Sequence, residues 1–227
     1  MAEGITASNG LAFSPDGRTL LWADTKAHAV SAFDVDGHDG SLSNRRVWRQ
    51  FALRDTARPI TEYGGRPDGA AMDSAGGYWL ALFEGQRLLR LDPQGHTLAE
   101  LPLPVRCPTM PCFGGADLRT LYITSSREKR PADELAAQPL AGGVLQMRVE
   151  VPGLPAYLCA AVAAVTVVTA TIGAGGTRCR RPRTRPPRPA RQALVGANPT
   201  PLRGEVDRKG FHVYSRFAAT PNEPPNA

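Results

Sequence analysis

The sequence predicts an all-β fold, and three observations carry that prediction. Its 227 residues include 23 Gly and 21 Pro, which punctuate the chain too often for long helices. Apolar runs of about strand length recur from the start to residue 155, each bounded by turn residues. A pattern of four runs and a break then repeats, and four strands per repeat of about 40 to 60 residues is the mark of sheets stacked on one another.

The first section reads "GLAFS", turn "PDG", "LLWAD", "AVSAFDVD", turn "GHDG" and "RRVWRQFAL". Four strands in succession make one up-and-down sheet. The second section follows the same plan with "GAAMD", turn "SAGG", "YWLALF", "RLLRLDP", turn "QGH" and "TLAELPL". A third begins with "MPCFGG" and "LRTLYITSS" and resumes, after a longer loop, with "GVLQMRVEV". Shifting the chain by 59 positions lays Asn9 to Phe13 over Asp68 to Met72, and a shift of 100 lays Asn9 to Phe13 over Thr109 to Phe113. Asn9, Asp68 and Thr109 therefore hold one repeat position. That coincidence favours propeller blades over an ordinary sandwich. Trp22, Trp79 and Tyr122 fall on corresponding strands and are expected between blades.

Charge divides the chain. Residues 1–156 carry 16 Lys+Arg against 18 Asp+Glu, a net of −2, and residues 157–227 carry 11 against 3, a net of +8. The basic character belongs to the tail, so no nucleic-acid partner is expected of the body. Cys107, Cys112, Cys159 and Cys179 match neither a disulfide framework nor a zinc spacing. The opening "MAEGITASNG" lacks a basic start and an apolar stretch, and a cytoplasmic location is expected.

"SNGLAFSPDGRTLLWAD", "GRPDGAAMDSAGGYWLAL", "LDPQGHTLAELPLPVRCPT" and "CFGGADLRTLYITS" resemble successive motifs of the gluconolactonase and regucalcin-like calcium-dependent lactonases, the family of senescence marker protein and luciferin-regenerating enzyme. The likeness runs over residues 5–155. It implies a partial six-bladed β-propeller of about three blades, spanning 1–155. Asn9 matches a position near the middle of such chains, so the chain is expected to correspond to the C-terminal half of the propeller.

After Pro155 the character changes. Residues 156–176 hold 21 residues without a charge, and an Arg/Pro-rich segment, 177–227, follows. The apolar run has the length of a membrane span, with a basic flank that would face the cytoplasm. An out-of-frame or fused ending is the alternative, and is favoured here: Ala and Thr dilute the run, and 24 Arg against 3 Lys points to a GC-rich reading. Residues 177–227 are expected to be irregular or disordered.

Asn9 and Asp68 are the candidate site residues. Both directly precede Gly at the start of an inner strand, where a propeller brings residues from separate blades to its channel. A carboxylate and an amide oxygen are hard ligands for calcium, magnesium or manganese. Turn formation is the competing role for Asn-Gly and Asp-Gly. The resemblance implies that Asn9 and Asp68 are metal ligands, with Asp68 also the candidate general base, and that the metal is calcium, with zinc, magnesium or manganese as alternatives. The family's third protein ligand, a Glu near the usual N-terminus, has no counterpart in this sequence.

The expected activity is metal-dependent hydrolysis of sugar or related lactones, weakened where the Glu-bearing blades are lacking. The alternative is a non-catalytic propeller fragment acting as a binding module, or a non-functional gene fragment. A small lactone is the expected ligand, with self-association through an uncovered blade face as a further expectation. "DVDGHDG" (34–40) fails the spacing of a calcium loop and reads as a hairpin turn, and "SREK" (126–129) lacks the motifs that accompany S-x-x-K catalysis.

Overall fold

The structure, a computed structural model, describes residues 3–155 together with the strand His212–Tyr214. Three four-stranded antiparallel sheets make it up. The first contains β1 (Ser8–Phe13), β2 (Thr19–Asp24), β3 (Ala29–Val35) and β4 (Leu42–Gln50). The second contains β5 (Arg66–Met72), β6 (Tyr78–Phe83), β7 (Arg87–Leu91) and β8 (Thr97–Pro102). The third contains β9 (Pro108–Gly114), β10 (Thr120–Ser125), β11 (Val144–Arg148) and β12 (His212–Tyr214). Within each sheet the strands follow chain order, and β1 lies beside β5 and β5 beside β9. These are three consecutive blades of a β-propeller, with β1, β5 and β9 innermost.

Two apolar layers hold the blades together. One is built from Ala23, Val30 and Ala32 of the first blade and Tyr78, Leu80 and Leu82 of the second. The other joins Trp79, Ala81 and Leu88 of the second blade to Leu121, Ile123 and Leu145 of the third. Successive residues of β6 thus feed opposite layers, which is why "YWLALF" is apolar throughout: side chains alternate along a strand and here both faces are covered. Leu80, Leu82, Leu88, Leu91 and Leu121 have no exposed surface, and burial of each contributes about 1.5–3 kcal/mol. The outermost strand β4 carries Arg45, Arg46 and Arg49 and is largely exposed, as an edge that must resist pairing with other chains should be.

Trp79 fulfils its expected place between blades. Trp22 differs: it is half-buried, packs against Phe33 of its own sheet and donates its indole N–H to Ser8 Oγ. Asp73, at the end of β5, is fully buried and accepts four bonds, from the Ala75 and Gly77 amides (3.0 and 2.8 Å), Trp79 Nε1 (2.9 Å) and Arg90 Nε (2.7 Å). It ties the β5–β6 turn to β7. The segment around Pro152–Leu154 returns to this turn, where Gly153 forms an isolated bridge with Asp73.

A six-residue helix, α1 (Ala132–Ala137), and a 3-10 turn at Ile60–Glu62 sit in the connecting loops. The fourth strand of the third sheet is distant in sequence, since His212–Tyr214 pairs with Val144 to Gln146 of β11. Those three residues fall within the segment expected to be irregular. The remainder of 156–227, including the apolar run and the Arg/Pro-rich segment, lies outside the described residues. Among the described residues no helix is long and apolar enough to cross a membrane.

Candidate metal and catalytic site

The position shared by Asn9, Asp68 and Thr109 lies at or beside a β-bulge in each of the three described blades. On β1, Asn9 pairs with Ala23 and Ala12 with Leu21, three steps against two. On β5, Pro67 pairs with Leu82 and Ala70 with Leu80, again three against two, with Asp68 inside the irregular stretch. On β9, Met110 pairs with Thr124 and Pro108 with Ser125, so Thr109 is the extra residue. A bulge leaves a residue outside the ladder and re-aims its side chain. Repeated in three neighbouring inner strands, it disturbs the ladder at the same place in each blade, and the side chains of Asn9 and Asp68 meet there.

The glycines that follow let the strands approach. Gly10 has φ +51, and a Cβ there would lie 2.7 Å from the Asp68 carbonyl oxygen, 2.7 Å from the Tyr78 hydroxyl and 3.0 Å from Ala23 Cβ. The Tyr78 hydroxyl, fully buried, donates to the Gly10 carbonyl. At Gly69 a Cβ would meet Met110 Sδ and the Thr109 carbonyl oxygen. Asn-Gly and Asp-Gly therefore do more here than make turns: the first residue faces the site and the second admits the next blade.

Asn9 Nδ2 donates to Asp68 Oδ1 at 2.5 Å and to Thr25 Oγ1 at 2.9 Å, so residues 59 apart in sequence meet across a blade boundary. Burial pushes the Asp68 carboxyl up from its ordinary 3.8 to about 6, and the Arg66 guanidinium opposes part of that rise. Asn9 presents its amide N–H2 to the carboxylate in this arrangement, and offering its oxygen to a cation requires the amide to turn over. Thr109 is held by Thr124, with 2.7 Å between the hydroxyl oxygens. The structure brings Asn9 and Asp68 together and shows no bond from Thr109 to either.

In kind, the two oxygens fit a hard divalent cation, and the half-buried carboxylate, raised by its loss of solvent, is suited to accept one. In number, they are two of the six to eight that calcium takes. Among the described residues no group of three or more His, Cys, Asp or Glu is placed to share a metal.

The sequence reading passed over a charged cluster beside this site. Glu84, in the left-handed region at φ 63 between β6 and β7, receives Arg130 Nη1 at 2.9 Å and faces Arg66 Nη1 at 3.3 Å and Arg54 Nη1 at 3.8 Å. Arg130 also grips Glu134 of α1 with two bonds, at 2.8 and 2.6 Å. Half-buried Tyr63 lies within the field of Arg66, Glu84 and Arg54, and its hydroxyl is pushed up by burial. One signal could have found the cluster, since Arg66 stands two residues before Asp68 in "GRPDG". The rest is assembled from three separate loops.

The weaker motifs resolve as turns. In "DVDGHDG" Asp36 accepts the His38 amide and Asp39 the Ser41 amide. In "SREK" Ser126 receives the Glu128 amide, while Lys129 pairs with Glu128 at the surface.

Comparison with known proteins follows the same lines. The pattern of the SMP-30/Gluconolactonase/LRE-like region matches residues 1–127. The chain is 53% identical over 153 residues to 6-deoxy-6-sulfogluconolactonase of Pseudomonas putida, covering 67% of this chain and 50% of that protein. It is 41% identical over 157 residues to regucalcin of Danio rerio, covering 68% and 50%. Among solved structures it superposes on a calcium-binding regucalcin of Agrobacterium tumefaciens with a TM-score of 0.58 at 29% identity, covering 66% of this chain and 48% of that one. A luciferin-regenerating enzyme gives 0.54 at 30% identity, with coverage of 66% and 48%. The chain spans about half the length of the relatives it matches.

Proposed function

The chain belongs to the SMP-30/gluconolactonase/LRE-like family, and on that footing we propose that it carries part of a lactonase site that opens sugar lactones to hydroxy acids. The observation that carries this reading is the 2.5 Å meeting of Asn9 and Asp68 where the ladders of adjacent inner strands are bulged. Asn9 and Asp68 would hold a divalent cation, calcium first, whose Lewis acidity draws charge from the lactone carbonyl.

The remaining chemistry falls to the chain itself. Asp68 would accept the proton of the attacking water, whose oxygen bonds to the carbonyl carbon as the ring C–O bond breaks, and the departing ring oxygen would take up that proton. Thr25 Oγ1 accepts from the Asn9 amide, and that bond is reversed or given up when the amide turns its oxygen to a cation. The buried Tyr78–Gly10 bond keeps the two inner strands at a fixed separation. Substrates are sugar lactones, and the sulfonated gluconolactone after which the Pseudomonas putida relative is named is the first to test.

With two protein oxygens, calcium affinity falls at the weak end of the protein range, about 10⁻⁴ to 10⁻³ M, and turnover is low in proportion. Isothermal titration with calcium chloride tests the reading. Wild type binds one calcium, Asp68→Ala loses the heat signal, and hydrolysis of gluconolactone followed by pH-stat falls with it. Equal calcium binding by both chains would overturn the assignment.

A further inference from the structure

The cluster around Glu84 leaves guanidinium donors without directed partners among the described residues. Arg54, Arg66, Arg106 and Arg130 face two carboxylates, Glu84 and Glu134. Arg130 occupies both, with hydrogen bonds to Glu84 Oε1 and to each oxygen of Glu134. Arg106 is 8% exposed, its Nε has no hydrogen-bond partner among the described residues, and the nearest carboxylate oxygen is 3.9 Å away.

Arg54 and Arg66 are the two with capacity to spare. Their ion-pair contacts with Glu84 are 3.8 and 3.3 Å, and neither makes a directed hydrogen bond among the described residues. Each guanidinium carries five N–H donors. Both keep about a third of their side-chain surface open, 34% in each case, so a ligand can reach them. Arg66 is also fixed in place, with its guanidinium carbon 4.9 Å from the centroid of the Phe83 ring, a stack that holds the planar fork ready and lowers the entropy lost on binding. It stands two residues before Asp68 on β5, next to the irregular stretch that begins at Pro67, and its charge is felt at the Asp68 carboxylate.

Resting on the lactonase reading above, we propose that Arg66, with Arg54 beside it, is the specificity-determining pair for a lactone that bears an anionic group, sulfonate, phosphate or carboxylate, on the end remote from its reacting carbonyl. A planar guanidinium receives two oxygens of such a group at once. The open donors of Arg54 and Arg66, which Glu84 meets without directed bonds among the described residues, are the reason for an anion there, and the Phe83 stack is the reason Arg66 leads.

Binding of the hydrolysed products tests this without relying on turnover. The chain is titrated with 6-deoxy-6-sulfogluconate and with gluconate at low salt, since both carry the acid carboxylate and only one carries the remote sulfonate. Wild type is expected to bind the sulfonate about tenfold tighter or more, the scale of charge-assisted hydrogen bonds. In Arg66→Gln that ratio falls to about one, and in Arg54→Gln it falls part of the way. Where Arg66→Gln lowers the unfolding midpoint by more than about 5 °C, Arg54→Gln carries the comparison. Equal affinities in wild type, no binding of either product, or a ratio unchanged in both variants overturns the proposal. The calcium titration of Asp68→Ala is read separately, so failure of the lactonase reading and failure of the arginine assignment give different results.

Discussion

Replacing Gly10 by alanine probes the closest approach of the first two blades. Its backbone sits at φ +51, and the new Cβ would be 2.7 Å from the Asp68 carbonyl oxygen, 2.7 Å from the Tyr78 hydroxyl and 3.0 Å from Ala23 Cβ. Two costs combine: about 1–2 kcal/mol for a left-handed alanine and about 1–3 kcal/mol for forcing atoms into a packed layer. The loss of unfolded-state freedom returns about 0.4–1 kcal/mol, which leaves a net destabilisation of about 2–4 kcal/mol. Gly17 supplies the control, since its φ is +70 and nothing lies within 4 Å of a Cβ there. Gly17→Ala therefore bears the backbone cost alone, about 1 kcal/mol. Thermal unfolding by near-ultraviolet dichroism is the assay. Gly10→Ala is expected to lower the midpoint by about 5–12 °C and Gly17→Ala by about 2–4 °C. Midpoints that agree within about 2 °C would show that the blades do not meet at Gly10 as described, and the placing of Asn9 against Asp68 would fall with it.

Two further predictions concern charge. Asp73→Ala removes the acceptor for Arg90, Trp79 and two turn amides, and urea denaturation should show a loss of about 3–5 kcal/mol, as for other broken buried pairs; a loss below about 1 kcal/mol would refute the role given to it. Asp117, bonded to Arg148, is held down to about 2 from an ordinary 3.8. Because the folded value lies below the unfolded one, its contribution to stability is present above about pH 4 and is lost as pH falls through about 2. A carboxyl carbon titration should place its midpoint there, and Arg148→Gln should move it back toward the ordinary value; an unmoved midpoint contradicts the pairing.

The repeat position is where sequence and structure agree most closely, and the agreement has a physical cause. Asn9, Asp68 and Thr109 align because each lies near the start of a strand whose turn and apolar pattern repeat locally, and in the structure a bulge falls at or beside all three. Asn9 and Asp68 stand out in the sequence as hard ligands at one repeat position, the family likeness gives them the role of metal ligands, and their contact is geometry that spacing alone does not contain. Thr109 shows the limit of the alignment: it shares the bulge but its hydroxyl bonds to Thr124. The arginine cluster shows the opposite case. Arg54, Arg66, Glu84 and Arg130 lie in a linker, a strand start, a hairpin turn and a loop, with no common spacing to mark them.

Strand order, turn positions and the four strands of the first two blades are written in the sequence itself, since alternation and turn chemistry act between residues a few positions apart. Which faces are covered, which side chains share a site and which guanidiniums lack a partner were decided only when the sheets stacked. Trp79 became core and Trp22 did not, and β12 came from a segment 64 residues beyond β11, as the step from Arg148 to His212 shows. Contacts of that kind depend on the meeting of surfaces distant in the chain, and no local pattern specifies them.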